Sequence, residues 1–185
     1  MTTTTTTLSE LTGDYVLDPA GTRIGFAVRQ AILTTVRGQF GEFEGTAHLD
    51  GDDPSGSRAR ITIQAASIQT PSHRRDDHLR RAFLDVSNHP AITFASTGVA
   101  QLSETTFDVT GDLTIRGATK PVSVDFELTG AGYDPQGAFR AGFRGTVTID
   151  RRDWGVSWNA VLEGGGALVS QKVTLELTAA AVRRS

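Results

Sequence analysis

From residue 22 onward apolar and polar side chains alternate with a period of two. That is the signature of a strand with one face in a core and the other in water. Ile24, Phe26 and Val28 share one parity, with Arg23 and Arg29 on the other. The same alternation predicts strands over residues 37–50, 58–65 and 107–115, around 92–94, and over 122–128, 139–149 and 173–177. The apolar parity changes between Phe40 and Phe43, beside Gly41, which marks a bulge. Half-polar strands joined mostly by short links are antiparallel, so the chain reads as all-β. Residues 71–86 break the pattern. Thr70 is placed as an N-cap and Pro71 as the first helical residue, Leu79 and Phe83 share a face, and Asp76 and Arg80 are spaced to pair. His89-Pro90 ends the helix.

Eight such strands fit a sandwich or a closed barrel. The apolar parity also carries Ala47, Ala59, Ala65, Gly111, Ala141 and Gly145. A filled sandwich core would use larger residues there, so an eight-stranded antiparallel barrel with room for one ligand is favoured; packing taper is the plainer explanation of the same residues. The side chains expected on the cavity wall are Ile24, Phe26, Val28, Phe43, Ile61, Ile63, Phe94, Val109, Leu113, Val124, Phe126 and Phe143. The chain has 185 residues, 38% hydrophobic and 21% charged, enough for one globular domain. It has no cysteine, and its net charge of −3 speaks against generic nucleic-acid binding. No run of apolar residues is long enough to span a membrane. Residues 1–13 read as a disordered tail ahead of a single domain over 14–185. Met1 is followed by threonines rather than a basic and then apolar stretch, so a cytoplasmic location is expected.

If the strands run up and down, the longest links gather at one end: the helical insertion, the 116–120 turn and residues 150–170. That end also collects Arg37, Arg74, Arg75, Arg80, Arg81, Arg116, Lys120, Arg151 and Arg152. An apolar tube with a basic rim suits a lipid with an anionic head, because arginine forks match phosphate. Pairing of these cations with nearby aspartates is the competing explanation. Arg75, His78, Arg116, Lys120, Arg152 and Trp154 are the expected head-group and mouth residues. Trp154, Trp158, Val161, Leu162 and the glycines at 164–166 read as an apolar flap or as packing on the barrel rim. The four histidines lack metal-site spacing, no cofactor is expected, and no nucleophile motif occurs. Asp76 with His78 is the sole acid–base candidate, and no catalytic residue is assigned.

Several segments in order resemble the YceI-like, polyisoprenoid-binding family. They include Tyr15-Val16-Leu17-Asp18, Gly38-x-Phe40-x-x-Phe43-x-Gly45, Arg75-Asp76-x-His78-Leu79 and Phe83-Leu84-Asp85. The longest is Gly111-Asp112-Leu113-Thr114-Ile115-x-Gly117-x-Thr119-Lys120-Pro121-Val122, followed by Arg152-x-Trp154-Gly155-Val156. The resemblance runs from Tyr15 to Val182. It implies a lipocalin-like barrel with a helical insertion, holding a long isoprenoid lipid such as a polyprenyl phosphate, a pyrophosphate or a quinone. It also implies that a homodimer is possible. An enzyme acting on such a lipid and an interaction protein with an incidental cavity are the alternatives.

Overall fold

The structure, a computed structural model, describes residues 7–30, 34–156 and 169–184. Among these, eleven strand segments form one antiparallel sheet. They are β1 Gly13–Leu17, β2 Arg23–Gln30, β3 Thr34–Phe40, β4 Phe43–Leu49, β5 Arg58–Gln64 and β6 Ile68–Gln69. The remainder are β7 Ala91–Gln101, β8 Thr106–Ile115, β9 Ala118–Tyr133, β10 Phe139–Asp150 and β11 Val169–Arg183. Consecutive segments share partners: β1 and β2 both pair with β11, β3 and β4 with β2 and β1, and β5 and β6 with β4 and β3. Each couple is one barrel strand broken by a corner. The result is the expected eight-stranded, up-and-down, closed antiparallel barrel.

The corners explain where the alternation slips. At 41–42 the break expected beside Gly41 is fastened to the corner of the neighbouring strand. Gly41 N–H donates to Ser67 O, and Gln64 N–H donates to Glu42 O. Between β1 and β2 the Thr22 hydroxyl donates to Ala180 O and accepts from Ala180 N–H, standing in for the missing backbone ladder. The β8–β9 turn has positive φ at both Arg116 (50°) and Gly117 (76°), the tight turn that suits a twisted hairpin.

Three expectations change. The ordered chain begins before residue 14: Leu8–Leu11 forms a 3-10 turn and Leu11 is buried, because these leucines have apolar surface to cover. The insertion helix α1 is short, His73–His78, and Ser72 rather than Thr70 caps it, accepting from Arg75 N–H at 3.3 Å. A π-type turn over Leu79–Phe83 follows. Arg80 pairs with Asp77 at 3.0 Å and not with Asp76, which turns inward. Among the described residues no helix is long and apolar enough to cross a membrane.

At the lower end, Arg140, near the start of β10, ties down the residues that follow the ends of β1 and β9. It donates to Asp134 Oδ2 at 2.6 Å and to Asp18 Oδ2 at 2.8 Å. Chiefly through these bonds, both carboxyls are held below the usual aspartate value. The folded values lie under the unfolded one of about 3.9, so this contribution is complete above about pH 4 and is lost as pH falls through the lowered values. The melting-temperature gap between the native protein and Arg140→Met should therefore be widest at neutral pH and narrow in acid. A gap that stays constant in a pH series of melts would contradict an ionic role.

Candidate ligand-binding cavity

The inward faces do not meet. They enclose a cavity of about 370 Å³, within the range of about 300–1,000 Å³ for small-molecule sites. On β10 the wall runs from Phe143 through Gly145 and Val147 to Ile149, roughly 20 Å along the strand, with Arg151 just past its end. Ile24, Phe26, Ile61, Ile63, Phe94, Val109, Leu113, Val124, Phe126 and Phe143 all line it, as their parity predicts. Val28 and Phe43 do not. Val28 lies higher on β2, opposite Val36, while Phe43 packs half-buried on the core beside Ile63.

Phenylalanines seated on glycines help keep the lumen open. Phe26 lies over Gly38, Phe94 over Gly111 and Phe126 over Gly145, so close that a Cβ at any of these glycines would collide with the ring. Phe26 and Phe126 face their glycines directly across the ladder. The rings thus lie against the wall. Gly111 and Gly145, expected to leave room for a ligand, make that room by accepting aromatic rings, and Gly38 does the same. At Gly111 a Cβ would also stand 2.7 Å from Ala95 O, backbone that cannot swing aside. Gly111→Ala should cost about 1–3 kcal/mol of stability in a denaturant titration; an unchanged midpoint would show that the ring has another place to go.

The insertion supplies the upper end of the wall through Leu79, Phe83 and Leu84. It is fixed by Asp76, only 3% exposed, whose Oδ1 accepts from Thr70 N–H at 2.8 Å and Thr70 Oγ1–H at 2.7 Å. Beside it, residues 151–154 form a 3-10 turn stopped by Gly155 at φ 72°. Trp154 is buried on the cavity wall, and its indole N–H donates to Leu113 O at 2.8 Å. Arg151 also lines the cavity. Its guanidinium lies 5.4 Å from the Phe83 ring centre and donates to Ser170 O and Val156 O. Burial lowers its pKa and nearby Asp150 opposes that; a guanidinium is too strong a base to lose its proton in a protein, so the group stays charged.

Of the six expected mouth residues, Trp154 alone lines the cavity. Arg75 is half-buried on α1 and stands off the cavity, and the His78 ring stands edge-on to Phe83, 6.5 Å between centres. Arg116 reaches Gly155 O at 3.4 Å, and Lys120 is exposed on β9 opposite Leu113. Arg152 grips Asp150 with two nitrogens, at 3.0 and 2.6 Å, and so points along the rim. The rim cations thus follow the competing explanation at Arg80 and Arg152, each paired with an aspartate. Arg151 was in the sequence to be found: Val147, Ile149 and Arg151 continue one parity past the end of β10. Trp158, Val161, Leu162 and the glycines at 164–166 lie outside the described residues. Among the described residues no three His, Asp or Glu side chains stand together as a metal site.

The YceI-like domain family matches residues 15–181. A UPF0312 protein of Ectopseudomonas mendocina is 38% identical over 150 residues, 80% of this chain and 78% of its own. One from Pseudomonas aeruginosa is 36% identical over 177 residues, 94% of this chain and 89% of its own. Among solved structures, BcnA of Burkholderia cenocepacia superposes with a TM-score of 0.78 at 21% identity, over 89% of this chain and 98% of that one. A polyisoprenoid binding domain from Saccharophagus degradans gives 0.71 at 14% identity, over 92% and 98%. At these identities the two structures speak to the fold.

Proposed function

As this chain belongs to the YceI-like domain family, we propose that it binds a long-chain isoprenoid-type lipid, tail inside the barrel, as a carrier or store and not as a catalyst. The observation that carries this reading is the continuous apolar cavity, walled by the inward parity of the strands from one end of the barrel to the other. Burying a flexible hydrocarbon there gains about 0.8 kcal/mol per methylene, and needs no polar partner along its length. The name of the Saccharophagus degradans domain supports the ligand class. Asp76, the acid–base candidate, spends an oxygen on Thr70 and does not line the cavity, which favours carriage over chemistry.

The polar head of the lipid sits at the insertion end, where Arg151 brings a charged group into an apolar wall. This favours an anionic head, such as a polyprenyl phosphate or pyrophosphate, over a quinone. Charge-assisted hydrogen bonds are worth about 1.5–3 kcal/mol. Arg151→Met should therefore weaken polyprenyl phosphate about tenfold or more by calorimetric titration, and the neutral polyprenol far less. Arg116→Ala and Arg152→Ala should leave both unchanged. Equal weakening of phosphate and alcohol in Arg151→Met would remove the head group from this end. Each lipid should also be recovered unaltered after prolonged incubation; a product would replace the carrier with an enzyme.

A further inference from the structure

The lower end of the same cavity is closed by a piece of chain outside the strands. The 3-10 turn Leu8–Leu11 lies across it, and Leu8 and Leu11 both belong to the cavity wall. Leu11 is buried in a cluster with Tyr15, Phe139, Ala141 and Ala181.

The turn is fastened on several sides. The Tyr15 hydroxyl, on a side chain 1% exposed, donates to Leu11 O at 2.7 Å. Arg183 donates to Glu10 O at 2.9 Å, and Gly51 N–H donates to Thr12 Oγ1 at 3.0 Å. The Leu8 backbone lies so flat on Gly51 that a Cβ there would collide with it. Opening this end would break these contacts together, so the turn acts as a floor.

We propose that Leu8 and Leu11 set the length of lipid tail the barrel accepts. The proposal rests on the tail-in reading above. A tail descending from the insertion end meets two isobutyl groups held in place. Isoprene units up to that point are buried, and further units must stay in water or force the head outward. Affinity should rise with each added unit and stop rising at a definite length. Cutting back a leucine in an apolar wall leaves a dry space that accepts benzene, and an isoprene unit is close to benzene in size. Leu11→Ala should thus admit one more unit.

The test is a titration of polyprenols of increasing length into the native protein, Leu11→Ala, Leu8→Ala and Ala47→Leu, with a thermal melt of each. Ala47 lines the cavity and pairs with Tyr15 across the β1–β4 ladder, so enlarging it raises the floor. The first chain beyond the native limit should bind Leu11→Ala at least about tenfold more tightly than the native protein, given a gain of about fourfold per buried methylene. Leu8→Ala should move the limit the same way, and Ala47→Leu should move it one unit shorter. Should Leu11→Ala fail to fold, the other two substitutions carry the test in opposite directions. An unchanged limit in the folded variants overturns the length-setting role and leaves lipid binding intact. Native protein that binds no member of the series overturns the tail-in reading itself.

Discussion

Val109→Phe combined with Val124→Phe is expected to abolish lipid binding and leave the barrel folded. The two valines face each other across the β8–β9 ladder, and both line the cavity at mid-height. In a close-packed core, two such enlargements would force side chains off their rotamers at about 1–3 kcal/mol each. Here the rings enter empty space, so the melting temperature should hold or rise. The lipid meets the opposite effect. Rings at mid-height divide the tunnel and exclude several methylenes from burial, each worth about 0.8 kcal/mol. Four displaced methylenes correspond to a loss of more than about a hundredfold in affinity. Binding at native strength by the folded double variant would place the ligand outside the barrel.

Asp76→Ala should be the most damaging single change at the insertion. The carboxylate is buried and holds both the N–H and the hydroxyl of Thr70. Removing it strands the Thr70 N–H and leaves the hydroxyl only the long bond to Ser72 O at 3.4 Å, at about 1–3 kcal/mol for a buried group left unsatisfied. The total should be about 2–4 kcal/mol. Asp76→Asn keeps an acceptor oxygen and should recover most of the loss. Because α1 leads directly into Leu79, Phe83 and Leu84 on the wall, the alanine variant should also release lipid faster. Chemical denaturation and stopped-flow release together check this. Equal stability of the alanine variant and the native protein would mean that the helix is held by its apolar face alone.

The barrel was legible because antiparallel strands with one wet face carry their register in the parity of their side chains. The same parity marks most of the cavity wall, Phe26 to Phe143 among it. It failed at β1, where Tyr15, Val16 and Leu17 are apolar in succession and all line the cavity, leaving no alternation to read. Gly111 and Gly145 were legible as small inward residues but not as seats for rings, since Phe126 and Gly145 meet only once β9 and β10 are in register. Loop charge is a poor guide to head-group contacts, because charge in loops mostly faces water or a neighbouring carboxylate. Arg152 illustrates this with its grip on Asp150. Its neighbour Arg151 enters the cavity because it keeps the parity of β10. The floor is not legible in the sequence because a leucine pair in a threonine-rich start has no period.

The carrier role depends on an isoprenoid tail held in the lumen. Native mass spectrometry of the protein purified from its own host, with organic extraction of whatever it carries, addresses it most directly. The expected result is one lipid per chain, with an apolar tail of repeating isoprene units. It should be absent from the Val109→Phe/Val124→Phe variant prepared in the same way. A lipid retained equally by that filled variant, or native protein that arrives empty and takes up no polyprenyl lipid offered to it, would contradict the account.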